Sequence, residues 1–289
     1  MEYLKQKQKE SWDMVIEPKT RLLDLNLKEI WRYRDLIMLF VRRDFVAQFK
    51  QTILGPLWYI IQPILTTLMY ALIFGRIARI PTDGIQPPLL FYLSGITMWN
   101  YFATCLTSTA NTFVTNANIF GKVYFPRLVL PLSVVISNLV RFGIQFLLLI
   151  AIMIYFHFQG HTIGVNVYWI IIPILLLMMA GIGLGLGIII SSLTTRYRDF
   201  AVFLTFAIQL AMYATPVVYP LSFLQNTKYK TLIAANPLTP LIESFRYALF
   251  GKGSFDLGSL LYSAVFMIVV LTLGVILFNK VEKNFMDTV

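Results

Sequence analysis

Long charge-free stretches divide this sequence more sharply than any local alternation of apolar and polar residues. Residues 51–75, 84–121, 142–195, 200–227 and 257–279 contain no Asp, Glu, Lys or Arg. A helix needs roughly 20 apolar residues to cross the hydrocarbon core of a bilayer, so each stretch can hold at least one crossing. The third is 54 residues long and is broken by a turn-forming cluster, Gln159, Gly160, Gly164 and Asn166, so it holds two. The pattern predicts an all-α polytopic membrane protein with six transmembrane helices, at about 57–75, 89–113, 129–157, 167–191, 200–219 and 258–279. It divides the chain into an N-terminal segment, 1–56, a transmembrane domain, 57–280, and a short tail, 281–289.

Composition agrees. The 289 residues are 57% hydrophobic and 13% charged, with a mean hydropathy of +0.70. An ordinary soluble domain has about 25% charged residues, which excludes that class. Charge then sets the orientation. Six crossings put both termini on one side, and the segments on that side hold 17 of the 24 Lys and Arg residues, against 6 on the other. Basic residues stay inside, so both termini are expected in the cytoplasm. The net charge of +10 thus reflects topology and attraction to anionic lipid, and nucleic acid is not expected as a partner. Cys105 is the single cysteine, so no intramolecular disulfide forms. Lys5, Lys7 and Lys9 have no apolar run behind them; no cleavable signal peptide is expected, and the first span acts as its own insertion signal.

Ahead of the first span, Leu23, Leu27, Ile30 and Trp31 fall at helical spacing. The apolar run Leu36 to Val41 is bracketed by Arg32, Arg34 and Asp35 on one side and by Arg42, Arg43 and Asp44 on the other. This predicts an amphipathic helix lying in the membrane interface and partly covered by neighbouring helices. In the second span, Ser94, Thr97, Asn100, Tyr101, Thr104, Thr107, Ser108 and Asn111 share an arc of about 140° at 100° per residue. A stripe of neutral hydrogen-bonding groups serves helix packing or lines a path for a hydroxyl-rich solute, and an intersubunit pathway would do both. The expected pathway lining is Thr97, Asn100, Tyr101, Thr104 and Ser108, with Trp58 and Tyr59 as aromatic faces for sugar rings. Gly181, Gly183, Gly185 and Gly187 in the fourth span are read as close-packing positions. Arg141 is the one charge inside a span; it lies near the inner surface if the third span begins in the cytoplasm. Residues 220–252 are too polar and too interrupted by proline to cross. They predict short re-entrant helices that form an external gate, around Tyr219, Pro220, Asn236, Pro237, Glu243 and Arg246.

The missing chemistry is as informative. Gly121-Lys122 and Gly251-Lys252 are followed by Val123 and Gly253, so neither completes a phosphate-cradling G-x-x-x-x-G-K-[ST] loop, and no ATP hydrolysis is expected in this chain. His157 and His161 stand four apart without the glutamate of H-E-x-x-H, and no metal site is expected. No acidic residue lies within a predicted span, which disfavours an ion-coupled secondary carrier. The scattered carboxylates also make a membrane-embedded glycosyltransferase a distant alternative.

Four ordered blocks carry a resemblance over about residues 30–280. Arg42-Arg43-Asp44-Phe45 with Lys50-Gln51-Thr52-Ile53-Leu54-Gly55-Pro56-Leu57-Trp58 and Gln62-Pro63 resembles the opening of ABC-2 type permeases that export polysaccharides. Phe120-Gly121-Lys122-Val123-Tyr124-Phe125-Pro126-Arg127 is similar to their first cytoplasmic loop, while Pro216 to Pro220 and Asn236 to Arg246 resemble their external gate. The nearest resemblance is to O-antigen and teichoic-acid exporters. It implies the six-span ABC-2 (type V exporter) fold, a homodimer, and two copies of a cytoplasmic ATPase subunit that bind ATP and Mg. It further implies that a coupling loop at Ile119, Phe120, Gly121, Lys122, Val123, Tyr124, Phe125 and Pro126 docks into that ATPase. Arg42, Arg43, Lys50, Leu54 and Gly55 would flank the entrance for a polyprenyl-pyrophosphate-linked polysaccharide in the bacterial inner membrane. Capsular polysaccharide, teichoic acid and a small lipid or drug are alternative cargoes within the same class.

Overall fold

A computed structural model describes residues 27–50, 52–116, 119, 125–161, 166–194, 199–225 and 227–282. Two short elements lead in: α1, Leu27–Arg32, and α2, Arg34–Phe49. The chain then turns at Gly55, whose φ of +50° suits a residue without Cβ. A 3₁₀ turn, Gly55–Leu57, feeds α3, Trp58–Tyr70, which runs on through a π-helical stretch, Ala71–Ile77. Helix α4, Pro88–Ala110, opens on a proline, whose missing N–H is harmless in a first turn. There follow the single turn α5, Thr112–Thr115, then α6, Val129–Phe158, and α7, Ile172–Thr194, with a 3₁₀ lead-in at Val167–Ile171. Helix α8 is Asp199–Tyr213; α9, Tyr229–Ala234, and α10, Thr239–Phe250, are short, and α11 is Leu257–Glu282. Gly251, at φ +65°, closes α10 in the left-handed conformation. Asp256 caps α11, accepting from the Ser259 N–H at 2.8 Å and its hydroxyl at 2.6 Å.

Among the described residues, five helices are long and apolar enough to cross a membrane: Gly55–Ile77, Pro88–Ala110, Val129–Phe158, Val167–Thr194 and Leu257–Phe278. Their limits match the sequence expectation to within a few residues. The stretch expected to cross at 200–219 is different: its helix ends at Tyr213 after 15 residues. At 1.5 Å per residue that is about 22 Å, short of the roughly 30 Å hydrocarbon core. Pro216 explains the early stop, since it has no N–H to continue the ladder and its ring disfavours helical backbone at Thr215.

Helix α4 occupies the centre, packed against α3, α6 and α7, while α7 lies between α4 and α11. The glycines of α7 make that position available on both of its sides. Gly181 and Gly185 face α11: a Cβ on Gly181 would lie 2.5 Å from Met267 Sδ, and one on Gly185 would lie 2.9 Å from the Leu271 backbone nitrogen. Gly183 and Gly187 face α4, where added Cβ atoms would meet the Cβ of Cys105 at 3.0 Å and that of Thr109 at 2.5 Å. Both overlapping G-x-x-x-G pairs are therefore used inside the subunit, where close van der Waals contact replaces a hydrophobic driving force that lipid does not supply. Leu90, Leu93 and Met98 of α4 and Leu175, Met179 and Ile182 of α7 are fully enclosed. Leu65 and Met69 of α3, Phe203 and Phe206 of α8 and Val265 and Ile268 of α11 lie exposed on the outside.

At one end of the bundle α2 lies along α6. Phe40 of α2 is buried with Phe125, Val129 and Leu130, its ring 5.8 Å from that of Phe125. Met38 and Leu39 stay exposed, so α2 is covered on one side only, and in α1 Ile30 is buried while Trp31 is exposed. Leu23 lies outside the described residues.

Replacing Gly187 by Ala is expected to destabilise the folded subunit by about 1–3 kcal/mol, the usual cost of overpacking. Gly143→Ala, where nothing lies within 4 Å of the added carbon, should be close to neutral. Thermal midpoints of the two variants in the same detergent make the comparison.

Candidate functional site

Polar side chains gather at the two ends of α4. The first centre lies where α2, α3 and α6 meet. Arg141 of α6 donates from Nη2 to Gln48 Oε1 of α2 at 2.7 Å and to the Tyr59 hydroxyl of α3 at 3.1 Å. The Tyr59 hydroxyl itself donates to Gln48 Oε1. The guanidinium also lies 4.6 Å from the centre of the Tyr59 ring, and Phe49 meets that ring edge-on at 4.9 Å. One cation therefore ties together three helices, by charge-assisted hydrogen bonds and a cation–π contact. Arg43 follows a different course: it pairs with Asp44 at 2.7 Å and donates to Asn116 Oδ1 at 3.0 Å.

Between these two arginines lies a cavity of about 340 Å³, bounded by α2, by the far end of α4 with α5, and by α6. Thr107, Ser108 and Asn111 reach it from α4 and the residue that follows, and Ser137 and Asn138 from α6. Residues of the sequence stripe divide here. Ser108 lines the cavity, as does Tyr59 of α3, whereas Thr97 and Tyr101 are buried within the subunit. Thr97 Oγ1 has no hydrogen-bond partner, and the Tyr101 ring packs 5.3 Å from Phe142. Asn100 and Thr104 are half-buried, and Thr104 returns its hydroxyl to the Asn100 carbonyl at 2.7 Å. Trp58 is 49% exposed. Of the residues expected at the lipid entrance, Arg43 lines the cavity; Arg42 and Lys50 point outward, and Leu54 and Gly55 form the turn into α3. Sequence reasoning left Arg141, Ser137 and Asn138 out of this group. Their spacing carried the signal, since Val134, Ser137, Asn138 and Arg141 fall on one face of a helix.

In the expected coupling loop, Phe120, Gly121, Lys122, Val123 and Tyr124 lie outside the described residues. Ile119 and Phe125 flank it and pack against the cluster around Phe40 of α2, and the Pro126 carbonyl accepts the first turn of α6 from Val129 at 2.9 Å.

The second centre, at the opposite end of α4, involves Asn236, Glu243 and Arg246, with Tyr219, Pro220 and Pro237 beside them. After α8 stops, residues 214–220 run without regular structure through a largely buried region, and their carbonyls need donors. Arg246 of α10 supplies two: Nη1 donates to the Pro216 carbonyl at 2.6 Å, and Nη2 donates to that of Val217. Asn236 Nδ2 donates to the Ala214 carbonyl at 3.0 Å and to Thr215 Oγ1 at 2.9 Å. Tyr219 returns its hydroxyl to the Tyr213 carbonyl at 2.7 Å. The carbonyl of Pro237 accepts from Ser263 of α11 at 2.8 Å.

Arg246 is 1% exposed, with its guanidinium carbon 3.7 Å from the centre of the Phe91 ring. Gly95 makes room for it, since a Cβ there would come within 2.5 Å of Nη2. Glu243 neutralises the charge at 3.5 Å and accepts from the backbone N–H of Leu221, next to Pro220, at 3.4 Å. Burial pushes the Glu243 carboxyl upward, and the guanidinium opposes that rise. A strap completes the arrangement: Asp83 accepts from Ser222, and Lys252 donates to the Gly84 carbonyl. Among the described residues, no three His, Cys, Asp or Glu side chains converge as a metal site would require.

Neither centre pairs a nucleophile with a base; both cross-link helices and the segments between them. The sequence profile of the ABC-2 type transporters matches residues 35–250, from α2 to the end of α10. This chain belongs to the ABC-2 type transporter family. The resemblance read from the four sequence blocks is borne out, and the match takes in both polar centres. An O-antigen export system permease protein RfbA of Klebsiella pneumoniae is 31% identical over 256 residues, which is 88% of this chain and 94% of that protein. A second one from the same species is 32% identical over the same shares. The permease of the same name from Myxococcus xanthus is 27% identical over 266 residues, 91% of this chain and 98% of the relative. This ABC-2 transporter is thus a multi-pass membrane protein along essentially the whole length of its relatives.

Removing one partner of a buried, hydrogen-bonded ion pair typically costs about 3–5 kcal/mol. Arg246→Met is expected in that range, because two carbonyls and Glu243 lose their donor together. Glu243→Gln should cost less, since the neutral side chain still accepts from Leu221. Chemical or thermal denaturation of the detergent-solubilised variants measures the difference.

Proposed function

We propose that this chain is the membrane-spanning permease subunit of an ATP-driven exporter that carries a lipid-linked polysaccharide of the O-antigen type across the inner membrane. The observation that carries the reading is the match to O-antigen export permeases over 88–91% of the chain and 94–98% of those proteins.

In this reading the chain hydrolyses nothing. ATP and Mg belong to two copies of a separate ATPase subunit, pressed against the cytoplasmic face of a permease homodimer. The coupling loop, Ile119 to Pro126, receives the motion, and α2 passes it on through the contact of Phe40 with Phe125. Helix α8, with the segment that follows it, completes a sixth crossing, so that both termini are cytoplasmic, as the bias of basic residues requires. Helices α9 and α10 form the external gate, held by Arg246, Glu243 and Asn236. The pyrophosphate of the carrier lipid enters beside α2 and the Leu54-Gly55 turn, where Arg42, Arg43 and Lys50 attract it, while Trp58, Tyr59, Asn100, Thr104 and Ser108 contribute to the wall met by the sugar chain. ATP binding by the partner selects between closed and open pathways through its different affinity for the two states.

Cells deprived of this chain should lose the long polysaccharide ladder from their surface lipopolysaccharide and accumulate the lipid-linked polymer inside. Restoring the chain should restore the ladder only when the partner ATPase carries an intact phosphate-binding loop. An unchanged ladder in the deprived cells, or export restored without ATP hydrolysis, refutes the proposal.

A further inference from the structure

The cavity between α2, α4 and α6 holds more positive charge than its own carboxylate balances. Arg43 and Arg141 both line it, and Asp44, the acid among its lining residues, is taken up by Arg43. Arg141 contacts neutral oxygens on Gln48 and Tyr59. No carboxylate among the described residues forms an ion pair with it. Its Nε is buried and donates to nothing. A guanidinium brought out of bulk water without a counter-ion is costly, and an unpaired buried donor adds to that cost. An anion in the cavity would relieve both.

We infer that this cavity is a phosphate-binding site, with Arg141 as its principal cation and Arg43 as the second. The choice of anion follows from shape and surroundings. Guanidinium forks match the oxygens of phosphate two at a time, and two forks on different helices suit a phosphate or pyrophosphate group better than a single carboxylate. The remaining wall carries hydroxyls and carboxamides, Ser108, Asn111, Ser137 and Asn138, which hydrogen-bond to ester oxygens or to a first sugar. A volume of about 340 Å³ is at the small end of ligand pockets, enough for a headgroup and too little for a polymer. Gln48 and Thr115 on its edge are exposed, so the site opens to the outside of the bundle. Arg42 and Lys50 do not line it, which separates this site from the general attraction of the entrance. The geometry stands without the proposed function; only the naming of the occupant as the pyrophosphate of a glycan carrier lipid rests on that reading.

The test uses the full chain with its ATPase partner in phosphatidylcholine nanodiscs, titrated with farnesyl pyrophosphate. Inorganic pyrophosphate should compete and farnesol should not. Arg141→Gln is expected to weaken binding by about tenfold or more, as loss of a charge-assisted pair does. Because Arg141 also ties three helices together, Ser137→Phe serves as a second variant: it fills the cavity, leaves both guanidiniums in place, and should weaken binding by a similar factor. Arg34→Gln, at an exposed charge of α2 outside the cavity, should change the affinity by less than about twofold. If phosphatidylglycerol nanodiscs weaken binding to the parent chain but not to Arg141→Gln, the phosphate is supplied by bulk lipid; if they do not, a pyrophosphate carrier supplies it. Parent-like affinity in both Arg141→Gln and Ser137→Phe overturns the site. ATP-driven glycan export, assayed after reconstituting the same complex into sealed phosphatidylcholine vesicles, separates the two proposals: failure of the parent chain to export while it binds farnesyl pyrophosphate refutes the exporter and leaves the site standing.

Discussion

The close approach of α7 to both α4 and α11 is the contact on which the rest of the structure depends. In lipid, helices gain nothing by hiding apolar side chains from water, so tight backbone contact must hold them together. Alternate glycines meet that need in two directions at once, Gly183 and Gly187 toward α4, Gly181 and Gly185 toward α11. With α7 pressed in place, α4 becomes an enclosed rod whose ends are fixed relative to each other.

Those ends carry the polar chemistry. At one, Gly95 leaves space for the Arg246 guanidinium, which holds the irregular segment after α8 by its carbonyls. At the other, Thr107, Ser108 and Asn111 form one wall of the cavity shared with Arg43 and Arg141. Both arginines that stabilise these ends cross-link elements distant in sequence, and both stack on an aromatic ring, Phe91 or Tyr59. The two centres differ in balance. Arg246 has its carboxylate and two carbonyls, and its surroundings leave little room, so it serves as a fixed post. Arg141 has neutral partners and open volume beside it, the condition in which a cation is available to a ligand.

The candidate site was legible in unequal parts. The residues expected at a gate, Tyr219, Pro220, Asn236, Pro237, Glu243 and Arg246, were readable because prolines and a charged pair stand out within an apolar sequence, and the structure places them around the segment that follows α8. The stripe on α4 was readable as polar but not as to what it faced. Thr97 and Tyr101 lie in the core while Ser108 lies at the cavity, since a helix of 23 residues meets different neighbours along its length. Arg141 stood out as a charge within a span, yet its partners, Gln48 and Tyr59, are 93 and 82 residues away.

The sequence by itself determined that the chain is helical and crosses a membrane several times, because the length of an apolar run and the bilayer thickness are local quantities that can be compared directly. It placed the starts of α4 and α11 to within a residue or two, but carried the fifth expected span on to 219, past the stop that Pro216 imposes on α8. Only the tertiary structure decided that the polar stripe of α4 divides between core and cavity, that the glycines of α7 serve contacts within one subunit, and that Arg43 and Arg141 share one chamber. Those outcomes depend on which helices touch, and helix contact in lipid is settled by shape fitting between distant segments, for which hydropathy carries no signal.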